Sequence, residues 1–361
     1  NGNGNGNQVV KGKVLDRIIH IWLENTDFDT ALADPNLHAL ARQGLVLRNY
    51  FAVTHPSQPN YVASVGGDYF GIDSDNLFNL PSNVSSIADL LDDKGISWGE
   101  YQEAMPSTGF TGLQFLNSTG GNNYVRKHNP LVTYESINQM PSRVNHIKNF
   151  TLFEQDLAKG ALPQWMFITP NMTNDGHDSS VTFAGIWARG FLEPLLENPN
   201  FNGNKTLIIL TFDENRTETK PNNVLAILLG SAVPKKLIGT SDKSFYTHYS
   251  WIATAEANWN LHTLGRWDVG ANVLQFVGEK TGDKIREADI QDVLLNMSYP
   301  GIFNSEHLAK QPIPNTNLVI NGRTVLPAIQ SQWESQVHCT AYDMQLVPPS
   351  AQSPPVLPPG C

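Results

Sequence analysis

Apolar and polar positions alternate along the chain in blocks, and the blocks differ in period. Arg17-Ile18-Ile19-His20-Ile21-Trp22-Leu23 is a short, nearly continuous apolar run rich in β-branched residues, which predicts a buried strand. Three more such runs cover 45–53, 165–169 and 206–212, and shorter ones cover 96–101 and 224–229. Between them the period lengthens. Residues 32–42 carry Leu37, Leu40 and Ala41 at helical spacing, with Gly44 as a stop. Residues 85–91 predict a capped helix closed at Gly95; 150–159, 186–196 and 248–259 predict three more. Strands that alternate with helices imply a mostly parallel sheet covered on both faces.

Other stretches lack a period. Asn1 to Gln8 is an Asn-Gly repeat and predicts a flexible tail, extended here to a flexible N-terminal segment over 1–15. Residues 107–148 are rich in Gly and Asn and read as long loops on the functional side. Beyond about Gly301 the chain is Pro-rich, and 301–361 is expected to wrap the surface of a domain spanning 16–300. There is no internal repeat.

With 361 residues, 40% hydrophobic, the chain can bury a large core. A net charge of −10 and the lack of any basic run argue against nucleic acid as a partner. No apolar run reaches the length of a membrane span, so no transmembrane segment is expected. Cys339 and Cys361 either clip the Pro-rich tail as a disulfide, which suits an oxidising compartment, or remain two free thiols. Sequons begin at Asn83, Asn117, Asn149, Asn171, Asn204, Asn215 and Asn296 and lend weak support to a secreted or wall-associated glycoprotein.

The chemistry gathers where strands end. Glu24-Asn25 follows the first run, Asn171 to Asp178 follows the run at 165–169, and Asp213-Glu214 follows the clearest strand. Thr54-His55-Pro56-Ser57-Gln58-Pro59-Asn60-Tyr61 makes a fourth cluster after 45–53. Ligands of open α/β sheets bind outside the carboxyl ends of the strands. Pro59 suits a first helical turn, which sets Ser57 at a helix N-terminus, where free N–H groups favour phosphate and an alkoxide. Ser57 is then either a nucleophile or a plain N-cap. Glu24, Asn25, Asp213 and Glu214 are all oxygen donors, and crowded carboxylates call for a divalent cation: Mg, Ca, Mn or Zn. Neighbouring strand residues face opposite ways, so both members of each pair reach one ion only if the backbone turns there. Otherwise one member binds and the other supports it. His177 and His248 are candidates to protonate a leaving group. Lys127, His128 and Asn60 are candidate substrate contacts.

Five stretches together resemble one family: Trp22-Leu23-Glu24-Asn25, Pro56-Ser57-Gln58-Pro59-Asn60-Tyr61, Lys127-His128-Asn129-Pro130, Thr169 through Asp178, and Thr211-Phe212-Asp213-Glu214. They resemble the phosphoesterase family of acid phosphatases and bacterial non-specific phospholipases C, within the alkaline phosphatase superfamily. The resemblance is strongest to the secreted fungal acid phosphatases. It implies an alkaline-phosphatase-like three-layer α/β sandwich with a mostly parallel central sheet. It also implies Ser57 as nucleophile, and Glu24, Asn25, Ser57, Asp213 and Glu214 around one metal ion. Two-zinc relatives carry a histidine where Glu214 stands and an acid where Thr173 stands, so one metal is expected, with His177 and His248 replacing the second. The activity implied is hydrolysis of small phosphate monoesters through a phosphoserine. A phospholipase-type diesterase using the same site, and a non-catalytic secreted glycoprotein, are the rival expectations.

Overall fold

The computed structural model describes residues 9–304 and 311–361. An eight-stranded sheet forms its centre. In chain order the elements up to the end of the first loop region are β1 (Arg17–Leu23), α1 (Phe28–Ala33), α2 (Pro35–Ala41), β2 (Leu45–Phe51), α3 (Ser57–Gly66), α4 (Ile87–Asp93), β3 (Trp98–Gln102), β4 (Gln114–Leu116), β5 (Asn122–Val125), α5 (Glu135–Asn138) and α6 (Pro141–Val144). There follow β6 (Ile147–Asn149), α7 (Phe150–Ala158), β7 (Trp165–Thr169), α8 (Val181–Leu196), β8 (Thr206–Phe212), β9 (Ala226–Leu229), β10 (Thr240–Thr247), α9 (Tyr249–Trp259), α10 (Gln275–Thr281), the ribbon β11 (Val319–Ile320) and β12 (Arg323–Thr324), and α11 (Pro327–Trp333).

The sheet order is β10-β2-β9-β8-β1-β7-β3-β6. Only β9 runs against its neighbours. The strands β2, β8, β1 and β7 are therefore parallel to one another, and their carboxyl ends lie along one edge. Both faces of β1 are buried, because helices cover both sides of the sheet. His20 and Trp22 project from one face of β1, against Trp251 of α9 and Tyr61 of α3. On the layers themselves α3 packs on α9, and α2 packs on α8. This is the three-layer α/β sandwich with a mostly parallel sheet.

Several local expectations change. The helix over 32–42 is two helices, because Asp34 caps α2 through the amides of Asn36 and Leu37 and Pro35 starts a new first turn. Residues 1–8 lie outside the described residues. The rest of the expected flexible segment is held: Val10 bonds Gln164, and the Val14 and Leu15 amides both donate to Asn258 Oδ1. Within 107–148 the chain forms the hairpin β4–β5, single 3-10 turns at Arg126–His128 and Leu131–Thr133, and two short α-helices. The aperiodic composition hid them because each is only three or four residues long. The tail beyond 301 is joined by the disulfide Cys339–Cys361, which spans 22 residues. It adds α11, whose Ile329 and Trp333 join the main core.

Candidate active site

The backbone bends at both metal-candidate pairs. Strand β1 stops at Leu23 and β8 at Phe212, so Glu24-Asn25 and Asp213-Glu214 lie just past the ladder. The bends are locked to each other. The Asp213 amide donates to Leu23 O at 3.1 Å, and the Thr26 amide to Glu214 O at 3.2 Å. Side chains of the two pairs thereby meet. Asn25 Nδ2 donates to Glu214 Oε1 at 2.7 Å, and the Asn25 amide to Asp213 Oδ1 at 3.1 Å.

Ser57 is the first residue of α3, behind Pro56, and is 2% exposed. Its hydroxyl donates to Glu24 Oε2 at 3.1 Å and lies 3.4 Å from Glu214 Oε1. Ser57 caps nothing: the N-cap position is Pro56 and makes no side-chain cap. The plain N-cap reading thus lacks the bond that would define it.

On the other side of Glu24 stands His128. Its Nε2 is 3.1 Å from Glu24 Oε1, and its Nδ1 is 3.3 Å from Asp175 Oδ2. Tyr61 stacks on the imidazole at 5.1 Å between ring centroids and donates its hydroxyl to Glu24 Oε1 at 2.8 Å. His128 was expected as a loop contact to substrate. It is instead buried among the acids, because the loop 126–131 folds inward over β3, where Glu100 accepts the Leu131 amide.

Burial and mutual repulsion govern the electrostatics. Desolvation raises the Glu24 carboxyl well above its ordinary range, and the charges of Asp213 and Asp175 raise it further. Asp175 and Glu214 are also raised well, first by burial. Asp213 is raised by burial too, opposed by the neighbouring Ser57 and Glu24 side chains and by the Asn25 amide. Burial, reinforced by Lys127, drives His128 well below its usual value. Four carboxyls at such close quarters need a counter-charge or protons. Among the described residues Asp213 Oδ2 and Asn25 Oδ1 are buried with no hydrogen bond, and His128 Nε2 and Asp175 Oδ2 have only the ion-pair contacts with Glu24 and His128, without hydrogen-bond geometry. Buried polar atoms without partners are costly, and this set is suited to a divalent cation. Glu24, His128 and Asp175 bring one donor atom each within 4.8 Å of one another and could hold a metal ion.

Lys127 and His177 lie on the more exposed side of this cluster. Lys127 Nζ bonds Asp75 Oδ2 at 2.9 Å and lies 3.4 Å from His177 Nε2. His177 is partly exposed, and its Nδ1 meets Asp178 at 2.7 Å. The loop is shaped by Asp175, whose Oδ1 accepts the His177 amide at 2.8 Å.

Two candidates stand elsewhere. His248 is fully buried behind the centre. Its Nε2 meets Asp213 O at 2.7 Å, and its Nδ1 is bonded to the Tyr50 hydroxyl. Both ring nitrogens are occupied, and burial lowers its pKa to about 3, so it is not the proton donor expected of it. Asn60 is fully buried as well. Its Oδ1 accepts the Val53 and Thr54 amides, and its Nδ2 donates to Thr54 O and Glu214 Oε2. It ties the Ser57 turn together and does not face substrate. Of the sequons, Asn215 and Asn296 are buried, with their amide nitrogens bonded to backbone carbonyls, which leaves no room for a glycan. Asn149 caps α7 and Asn171 shapes a turn, each through its Oδ1; Asn83 pairs with Gln311. Asn204 is exposed and Asn117 half-exposed at the β4–β5 turn.

Asp175, Tyr61 and Asp75 were missed as functional residues. Asp175 and Tyr61 lay inside two of the stretches already singled out; Asp75 gave no signal in an irregular loop.

The Phosphoesterase family profile matches residues 26–262, and the chain belongs to that family. A phosphate-repressible acid phosphatase of Penicillium chrysogenum is 54% identical over 308 residues, covering 85% of this chain and 74% of that protein. An acid phosphatase of Aspergillus fumigatus is 53% identical over 302 residues, covering 83% and 67%. A phosphatidylinositol-3-phosphatase of Mycobacterium tuberculosis is 28% identical over 64% of this chain and 71% of its own. Among solved structures, a phosphonate monoester hydrolase from Silicibacter pomeroyi superposes with a TM-score of 0.45 at 11% identity, over 76% of this chain and 78% of that one. The activity that the fungal relatives support is that of an acid phosphatase, a phosphoric monoester hydrolase.

Proposed function

We propose that this acid phosphatase works through a phosphoserine at Ser57 and that it is secreted. The observation that carries the mechanism is the position of the Ser57 hydroxyl: first residue of α3, against Glu24 and Glu214, with Lys127 tied through Asp75 to the next amide of the same helix. Lys127 binds the incoming phosphate, and the α3 N-terminus adds its partial positive charge. The Ser57 proton passes to Glu24 as Oγ bonds to phosphorus and the ester P–O bond breaks. His177, the only one of His128, His177 and His248 that reaches solvent, hands a proton to the departing alcohol. Water then attacks the phosphoserine and gives a proton to His177, while the Ser57 O–P bond breaks and Glu24 returns its proton to Ser57 Oγ, freeing phosphate. A divalent cation held by Glu24, Asn25, Ser57, Asp213 and Glu214 would neutralise the acids and lower the pKa of the Ser57 hydroxyl. Glu24, His128 and Asp175 form the adjoining donor group. The disulfide Cys339–Cys361 supports an oxidising, extracellular setting.

The test is hydrolysis of p-nitrophenyl phosphate from pH 3 to 9 by the protein and by Ser57→Ala, with mass analysis of the Ser57 peptide after rapid acid quench. An acid optimum, lost in the variant, with 80 Da added to that peptide (about the mass of one phosphoryl group, consistent with the covalent route) is the expected result. Turnover that survives in Ser57→Ala rules the nucleophile out.

A further inference from the structure

The carboxylate of Asp75 sits where a phosphate would be welcome. Its Oδ1 accepts the Gln58 amide at 3.0 Å, and its Oδ2 takes Lys127 Nζ at 2.9 Å. Gln58 is the second residue of the ten-residue helix that Ser57 begins. A backbone N–H at a helix N-terminus and a lysine ammonium are the two commonest holders of phosphate oxygens. Here they converge on a side chain of the protein's own.

The first turn of α3 has few donors to spare. Pro56 and Pro59 have no N–H, and Pro56 supplies no cap. The Gln58 amide is spent on Asp75, while the Ser57 amide makes no hydrogen bond among the described residues. Asp75 itself is no core residue. Its side chain is 33% exposed, while that of Lys127 is 16% exposed. It stands on the irregular loop between α3 and α4, outside any helix or strand. Its negative charge also bears on the centre, where it helps to raise Glu214.

We propose that Asp75 is a built-in competitor: in the substrate-free protein its carboxylate fills the seat of a substrate phosphate oxygen, and substrate must displace it. The proposal rests on Ser57 as the nucleophile, since that is what places the Gln58 amide beside the reacting phosphorus. Displacement exchanges one anion for another on the same two donors, Gln58 N–H and Lys127 Nζ. Asp75 thereby sets how tightly the site holds phosphate, both as substrate and as product. A weak hold on product is useful to an enzyme that must release inorganic phosphate after every turn.

The discriminating measurement is the affinity of the metal-loaded protein for inorganic phosphate, by calorimetry and as a competitive inhibition constant. The wild type is compared with Asp75→Asn, Asp75→Ser and Asp75→Glu. Asparagine keeps an oxygen for the Gln58 amide and removes the charge, so it spares the helix cap. Loss of one nearby unit charge should tighten phosphate on the order of tenfold in the Asn and Ser variants. The KM for p-nitrophenyl phosphate should fall in step, more than kcat changes, and Asp75→Glu should restore the weaker binding. Unchanged or weaker phosphate binding in Asp75→Asn, with or without a lower melting temperature, overturns the proposal and leaves Asp75 as a helix cap and an anchor for Lys127. Calorimetry needs no turnover, so this outcome is independent of Ser57. Should Ser57→Ala remain active, the nucleophile assignment fails whatever Asp75 does.

Discussion

Tyr61 donates its hydroxyl to Glu24 Oε1 at 2.8 Å while its ring stacks on His128. One side chain thus orients an acid and an imidazole of the buried donor group. The same carboxylate accepts Ser57 on its other oxygen. Residues that hold a ligand in place typically matter to metal affinity by roughly ten- to a hundredfold. Tyr61→Phe keeps the stack and removes the hydrogen bond. Its expected signature is a loss of divalent-ion affinity of that size, read by titrating activity back into chelator-stripped protein. An unaltered titration would show that Glu24 needs no such support.

The exposed histidine is separable from the buried one by its leaving-group dependence. A proton donor matters most when the departing alkoxide is a strong base. His177→Gln should therefore lose about a hundredfold in kcat on an alkyl phosphate, and far less on p-nitrophenyl phosphate, whose leaving group needs no proton. An equal loss on both would make His177 a phosphate ligand and not an acid.

His248 tells the opposite story. It bridges Asp213 O and the Tyr50 hydroxyl, and the Tyr50 hydroxyl in turn accepts Trp251 Nε1 at 2.6 Å. His248→Ala leaves a cavity, an unpaired Asp213 carbonyl and a Tyr50 hydroxyl held by Trp251 alone, at a cost of a few kcal/mol. The expected result is a lowered melting temperature, with the leaving-group dependence of the remaining activity unchanged. A changed dependence would return His248 to the reaction.

These two histidines show where sequence reading stops. Both follow a strand and precede a helix or turn, and nothing in their neighbours says which ring faces solvent. The long strands were legible because β1, β7 and β8 are buried on both faces and read as unbroken apolar runs. β10 was missed because its first five residues, Thr240-Ser241-Asp242-Lys243-Ser244, are polar; it is an edge strand. Glu24, Ser57, Asp213 and Glu214 were recognisable as strand-end and helix-start residues. Their partners Asp175 and His128 arrive from loops, and loop placement depends on tertiary contacts such as Leu131 on Glu100.

Removing the cation should make stability depend on pH in a definite sense. Glu24, Asp175, Asp213 and Glu214 are all raised in the folded chain by burial, and Glu24, Asp175 and Glu214 also by neighbouring carboxylates. The folded metal-free protein therefore keeps protons that the unfolded chain releases above its ordinary carboxyl range. Stability is full below that range and falls as pH rises. Adding a divalent ion replaces those protons. Melting temperatures with and without chelator should nearly coincide at pH 4 and diverge by pH 7, with the stripped protein lower. A gap as wide at pH 4 as at pH 7 would mean that these carboxyls stay charged without the ion.

Glu100 offers the same physics away from the ion. It lies in β3, fully buried; its Oε1 accepts the Leu131 amide at 3.0 Å, and its Oε2, near the Gln102 side chain, has no well-formed hydrogen bond among the described residues. Burial raises its pKa from 4.5 to about 8. The folded protein thus holds this proton to about pH 8, while the unfolded chain gives it up near 4.5. Stability from this group is complete below 4.5 and drains away as pH climbs to 8, by roughly 4 kcal/mol in all. Glutamine is neutral at every pH and still offers its carbonyl to Leu131. Glu100→Gln should match the parent at pH 4 and surpass it in melting temperature by an increasing margin up to pH 8. A buried acid of this kind is tolerable in a protein that works in acid, where it is already protonated. A constant difference across the range would show that Glu100 ionises at its ordinary pH, with water reaching Oε2.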